Sequence, residues 1–378
     1  MRGAVPAVLV IAGLLAVPCS AQSLLPDREQ IDGWLASLGA SDRFDASKGS
    51  DWGIMPGPFY SPELGAGLGM AIVGMYRPDP GDTVSQNSTL SLSGYASATG
   101  AFGLDMNNYA FFASDRWRFF LDGSLSNTPT WFWGQGFAAG DKDSQKQKYT
   151  SRELTLRPMV FRQLTGHAYL GVGWSLAVQH AADTDEPQRL ENTPEGVSVF
   201  SSGVSVALTW DNRDFVPNPR RGQAADIHYT HYTPGTGSDR RFDEYTLHYS
   251  RYHPVTESGV LAWEVNGDFT QGDVPWSMLP LLGSNRRMRG YYEGRYRDRN
   301  VISGQLEYRQ KLSWRHGIVG WAGAGTMAPS FRRLDNGRWL PSVGVGYRFE
   351  FKPRMNVRLD YGIGKGSSGF YFQVGEAF

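Results

Sequence analysis

The chain has 378 residues, with 37 basic against 37 acidic side chains, 46 glycines, 12 tryptophans, 18 tyrosines, 20 phenylalanines and a single cysteine. The charge balance excludes a generic nucleic-acid binder. A mean hydropathy of -0.39 with 20% charged residues excludes a polytopic helical membrane protein, which needs several runs of about 20 apolar residues.

The one comparable run opens the chain. Arg2 precedes an apolar stretch from 4 to 17, and Cys19, Ser20 and Ala21 form a small-residue ending before Gln22. Residues 1–21 therefore read as a secretory leader cut after Ala21. Cleavage removes the only cysteine, so an exported chain of this kind is held by hydrogen bonding and packing without disulfides. Residues 22–51 follow as a short N-terminal segment in which Ile31, Trp34, Leu35 and Leu38 recur at helical spacing, with Asp27 to cap the start and Gly39 to end it. The helix reads first as a cover over a core edge. A membrane-surface role, a pore plug, recruitment of a partner and a homodimer contact are the alternatives.

From Trp52 to Phe378 the period is two. Over 354–363, Met355, Val357, Leu359, Tyr361 and Ile363 share one face, and Arg354, Asn356, Arg358, Asp360 and Gly362 the other. The stretches 305–314 and 342–351 repeat the pattern, the second setting Val343, Val345, Tyr347, Phe349 and Phe351 against Ser342, Gly344, Gly346, Arg348 and Glu350. A soluble sandwich also alternates. Segments of about ten or more residues with aromatics near their ends fit tilted membrane-spanning strands instead, with the ionic face lining a lumen. The fold expected over 52–378 is thus all-β, a transmembrane antiparallel β-barrel in the bacterial outer membrane.

Fifteen clear strands begin near 63, 87, 102, 116, 148, 167, 198, 222, 241, 257, 301, 316, 338, 354 and 369. Both ends of such a barrel lie on the periplasmic side, so the strand number is even and a sixteenth is required. The stretch 52–60 supplies it as an irregular edge strand carrying Pro56 and Pro58. The three longest connections, about 129–147, 182–197 and 272–300, then all fall on the outer side.

Two connections carry more than barrel pattern. The inner turn contains Asp211, Arg213, Asp214, Pro217, Pro219 and Gly222, and reads as a charged turn stabilised locally by its prolines and glycine. The longest outer loop contains Arg289, Gly290 and Tyr291, followed by Leu306, Glu307, Tyr308 and Arg309, and later by Val357, Arg358, Leu359, Asp360 and Tyr361. This order, ending on Phe378, resembles the barrel of the BamA/TamA outer-membrane assembly superfamily, which includes the two-partner secretion transporters. The resemblance implies that the loop folds into the lumen and that Arg289 docks on Glu307, with Arg309, Arg358 and Asp360 extending the network. A second wall aspartate is expected at the position held by Gly323. Phe370, Phe372, Val374, Glu376 and Phe378 share the outward parity of the last strand, and a final aromatic at this parity resembles the signal by which outer-membrane barrels are recognised for assembly.

Enzyme and metal motifs are missing from the sequence. Gly65, Gly67 and Gly69 precede no helix and read as strand glycines, and His228 and His231 face opposite sides of one strand. His248, inward between Glu244 and Ser250, is the best start for a Ser/His pair, with no nucleophile elbow beside it. No enzyme activity, cofactor or metal site is expected. The implied function is protein insertion or translocation through a gated seam or pore, with no periplasmic receiving module in the short N-terminal segment. A passive or plugged solute pore is the alternative. Expected partners are outer-membrane lipid and lipopolysaccharide, with client outer-membrane proteins or a periplasmic partner, and no nucleic acid.

Overall fold

The structure, a computed structural model, describes residues 28–39, 50–61, 63–186, 188–334 and 338–378. The expected leader, the flanks of the N-terminal segment and the side chains of Ile31 and Leu35 lie outside the described residues. The strands follow in chain order as β1 (Ser50–Ser61), β2 (Gly65–Tyr76), β3 (Ser88–Ser97), β4 (Phe102–Phe112), β5 (Trp117–Phe132), β6 (Gln147–Thr165), β7 (Ala168–Ala182) and β8 (Ser198–Asp211). They continue as β9 (Gly222–Tyr232), β10 (Phe242–Pro254) and β11 (Gly259–Gly272), then β12 (Leu281–Leu282) and β13 (Tyr296–Arg297). The last are β14 (Asn300–Ser313), β15 (His316–Ala328), β16 (Leu340–Lys352), β17 (Met355–Gly364) and β18 (Ser367–Val374).

β12 and β13 form a separate two-stranded ribbon, and the other sixteen strands make one antiparallel sheet in strict sequence order. Every segment the alternation marked is a strand, including the proline-bearing first one. The outward face stays apolar: Leu208, Ile227 and Val345 expose 50%, 53% and 65% of their surface, as a lipid-facing wall requires. The long connections 133–146, 183–197 and 273–299 share the outer rim, and the helix lies at the opposite, inner rim with the connections 113–116, 166–167, 212–221, 255–258, 314–315 and 353–354.

Strict alternation fails at the inner rim. The β16–β17 pairing is irregular between Glu350 and Lys352. Next to this bulge Phe351, Met355 and Val357 are buried in one cluster with Met55, Ala71, Val73, Met75 and Phe215, so Met355 and Val357 do not face lipid as their parity predicts. The helix α1 (Arg28–Ser37) also lies at this rim, where Asp32 is 3.5 Å from Arg315. It lies against an edge of the sheet, with its Trp34 side chain 61% exposed. Its following residue, Leu38, accepts a 2.8 Å hydrogen bond from the Ile54 N–H of β1.

Candidate functional site

The outer connection 273–299 turns back into the lumen beyond the β12–β13 ribbon. Its tip lies on the wall formed by β16, β17 and β18. Ser342 donates to the Arg289 carbonyl at 2.6 Å, Gly290 N–H donates to the Tyr371 hydroxyl at 2.9 Å, and the Tyr291 hydroxyl donates to the Pro341 carbonyl at 2.6 Å. Contact this close needs a wall without side chains. A Cβ on Gly362 would sit 2.7 Å from the Arg289 carbonyl carbon, and one on Gly290, where φ is +107°, would sit 2.7 Å from the main chain of Ile363 and Gly364.

Main-chain docking aims the Arg289 side chain at two carboxylates. Its guanidinium donates to Glu307 of β14 and, at 2.6 Å, to Asp360 of β17, and lies 3.7 Å over the Trp321 ring. Glu307 also accepts from Arg309 at 3.0 Å, and Asp360 accepts from Arg348 at 2.6 Å and Arg358 at 2.8 Å. Glu376, beyond β18, accepts from Arg348 at 2.8 Å and lies 3.9 Å from Arg309. These contacts close a ring of alternating sign: Arg289, Glu307, Arg309, Glu376, Arg348, Asp360 and back to Arg289. All six side chains are at most 9% exposed. Buried charges persist only when each is met by an opposite charge in hydrogen-bonding geometry, and the ring does this for all six.

Of the residues expected here, Arg289, Glu307, Arg309, Arg358 and Asp360 are thus brought together. The wall aspartate sought at Gly323 is absent because that position has no room: a Cβ there would approach the Gly304 carbonyl to 2.8 Å. Asp360 supplies the second carboxylate from a different strand. Arg348 and Glu376 were not singled out from sequence. Arg348 carried a signal in its inward parity; Glu376 carried the opposite one, being counted as outward.

The inner turn is not held only by itself. Asp211 accepts from Arg213 at 2.9 Å but also from Arg118 of β5 at 2.9 Å, and a Cβ on Gly222, where φ is +101°, would strike the Asn212 carbonyl. The other anchors lie far around the ring of strands. Asp214 pairs with Arg354 of the β16–β17 turn at 2.9 Å, Val216 N–H donates to Gln86 of the β2–β3 connection at 3.0 Å, and Phe215 enters the cluster with Met55, Val73 and Phe351. Burial opposes the Asp214 charge, but the Arg354 hydrogen bond and the Arg220 and Arg221 N–H groups outweigh it and hold the carboxyl below its ordinary range. With Pro219 buried in the turn, the segment crosses the inner mouth as a bar.

Residues 87–378 match the Omp85 superfamily domain. The chain belongs to the Omp85 superfamily. Among solved structures, this Omp85 barrel is similar to CdiB from Escherichia coli, at 12% identity and a TM-score of 0.56 over 85% of this chain and 61% of that one. It is likewise similar to CdiB from Acinetobacter baumannii, at 10% identity and a TM-score of 0.53 over 86% and 59%. BamA from Haemophilus ducreyi lacking POTRA domains 1-3 matches at 14% identity with a TM-score of 0.50 over 86% of this chain and 69% of that one. At such identities the likeness is one of fold, and the chain spans about three fifths of the CdiB chains. Among curated proteins, no relative matches the sequence.

Among the described residues of this Omp85 chain, no hydrogen-bonded ladder closes the sheet. β1 and β18 end the strand order, and among the described residues no ladder joins them. They touch through side chains, with Phe372 over Gly57, where a Cβ would lie 2.9 Å from the ring. The reason is legible in β1. Ile54 N–H points away from β2, toward Leu38, and main-chain groups of a strand turn to alternate sides, so positions 56 and 58 face that same free edge. Both are prolines, which have no N–H to donate.

β18 stops at Val374, and Gly375, with φ +87°, turns the chain inward. Glu376 and Phe378 therefore do not continue the outward set. The Phe378 carbonyl accepts from Arg309 at 2.8 Å, and its ring packs by Tyr252, Val260 and Ala262 on the far wall. Phe372 is turned into the seam, while Phe370 keeps its place in β18 opposite Tyr361. His248 meets Asp226 at 3.1 Å and Glu264 at 3.3 Å, two carboxylates in place of a serine, and among the described residues no acidic or histidine cluster could hold a metal.

Proposed function

We propose that this chain is an outer-membrane barrel that inserts or translocates client polypeptides through the β1–β18 seam. One observation carries the reading: among the described residues the sixteen-stranded sheet has no ladder at this junction, and the free edge of β1 has no donors at Pro56 and Pro58. Opening such a junction breaks side-chain contacts but few main-chain hydrogen bonds, and an extended client strand can then add to a sheet edge. Superfamily membership supports the same reading. Arg289 is in this reading the docking arginine of the lumen loop, and the inner turn is a structural brace that does not touch client.

The test is a covalent lock. In a Cys19→Ser background, Gly57→Cys and Phe372→Cys are joined across the seam by a short bis-maleimide linker, and client insertion is assayed in native membranes. The lock is expected to abolish it, with the unlinked double variant active. Unchanged insertion in the locked protein overturns the seam reading. A plugged pore is a second reading, favoured by the loop and inner turn filling the lumen from both ends. It predicts no dependence on the lock and a rise in bilayer conductance on Arg289→Ala.

A further inference from the structure

The segment 375–378 occupies a pocket made by five strands, each of which supplies a specific partner. Glu376 is held by Arg348 of β16 and, at 2.6 Å, by Asn356 of β17, with Arg309 of β14 at 3.9 Å. Ala377 is buried. The Phe378 ring lies 4.9 Å from the Arg309 guanidinium and packs with Tyr252 of β10 and Val260 of β11. An acidic side chain, one spacer and an aromatic ring thus meet two arginines, an amide and an apolar floor. Arg309 Nη1 and Arg348 Nη2 are buried and donate to no group among the described residues, so the arginines retain unused donors. One side of the segment faces a lumen cavity of about 470 Å³ bounded by Arg213, Val216, Arg286 and Arg287.

We propose that this pocket is a receptor for the acidic–x–aromatic end of an extended client strand, held in cis by Glu376, Ala377 and Phe378 until a client displaces them. The inference rests on the seam reading and names what the seam receives. A strand replacing β18 beside β1 runs in the direction of β18, so its end arrives at the inner rim next to Val374, where the pocket opens. Prolines at 56 and 58 leave β1 a partial ladder, and a second anchor is needed to hold a client there. The acidic requirement follows from the ion ring. Removing Glu376 without replacement leaves Arg309 and Arg348 buried with one carboxylate fewer, and an incoming acidic side chain restores the alternation.

The probe is a fluorescein-labelled, amidated peptide of residues 367–378 of this chain, read by anisotropy on the detergent-solubilised full chain. A Glu376→Ala/Phe378→Ala variant, with the cis occupant removed, should bind it roughly tenfold more tightly than the unaltered protein. A peptide in which Glu376 is Gln and Phe378 is Ala should lose that gain, and this comparison needs no change to the wall. The four-residue peptide 375–378, too short to pair as a strand, should still bind the variant when the seam is linked. Equal binding of the native and altered peptides, or no gain in the variant, overturns the pocket. If the long peptide binds regardless of these residues and is blocked by the seam linker, the pocket fails while the seam reading stands. If only the short peptide binds and client insertion ignores the linker, the seam reading fails alone.

Discussion

Arg309 and Glu376, 3.9 Å apart, close the ion ring that joins the lumen loop to the segment beyond β18. The loop enters the ring through Arg289 and the segment through Glu376, and the wall residues Glu307, Arg309, Arg348 and Asp360 stand between them. Two elements docked on the same buried charges are energetically linked, because undocking either one leaves the intermediaries short of a partner.

That linkage is measurable as non-additivity. Arg289→Ala should lower stability by about 3–5 kcal/mol, since it strips both Glu307 and Asp360 of a buried partner. Arg289→Lys should recover little of this, because one ammonium cannot fork between two carboxylates and lie flat on Trp321. Glu376→Gln combined with Arg289→Ala should depart from additivity by roughly 0.5–3 kcal/mol in a cycle read by the unfolding transition of the compact electrophoretic band. Strict additivity would show the ring to be two independent pairs.

The glycine wall gives a steric test with its own control. Gly362→Ala places a methyl group within 2.8 Å of the Arg289 carbonyl group and should undock the loop, whereas Gly320→Ala on the outward face of β15 meets nothing within 4 Å. Limited trypsin digestion should therefore cut at Arg286, Arg287 or Arg289 in the first variant and spare the second. Equal resistance of both would place the loop off the wall.

Most of the barrel was legible because its wall separates two solvents. Lipid outside and ions inside impose a period of two on every strand, and parity alone put Glu307, Arg309, Arg348, Arg358 and Asp360 on the inner face. Legibility failed where that separation fails. At the inner rim Phe351, Met355 and Val357 pack against the mouth-crossing turn, so apolar character there signals a plug and not lipid. Gly375, at a positive φ, turns the chain inward, which moved Glu376 and Phe378 from the outward set into the lumen. The reach of the inner turn was hidden for a related reason: its Asp214 and Phe215 find their partners on a turn and on strands far away in sequence, which local turn chemistry does not encode.

Acid should loosen that turn. Asp214 and Asp82 both hold carboxyls below the ordinary aspartate range. Burial opposes each charge, and Arg354 with backbone N–H groups outweighs it at Asp214, as the Ser85 hydroxyl and the N–H groups of Ser85, Ser114 and Val84 do at Asp82. A depressed carboxyl contributes stability that is complete above its unfolded value, about pH 4, and is lost as pH falls through the lower folded value. Bilayer conductance is expected to stay low down to about pH 4 and to rise only below it. Asp214→Asn should raise the conductance at neutral pH and flatten this acid response. A rise centred near pH 6–7 would point to histidines instead.

The prolines of β1 make the most direct case for a seam kept open by sequence. Pro56→Val and Pro58→Val restore two N–H donors on the edge that faces β18 and substitute side chains that suit a lipid-facing strand. Each new hydrogen bond adds about 1 kcal/mol, so the double variant should be about 2 kcal/mol more stable, with its unfolding transition shifted upward. Amide exchange should slow at positions 56 and 58 and along the free edge of β18. Client insertion should fall in proportion, because a closed ladder must be broken before a strand can enter. A stabilised barrel with undiminished insertion would separate the open seam from the protein's activity, and an unchanged exchange pattern would mean that something other than missing donors keeps β1 and β18 apart.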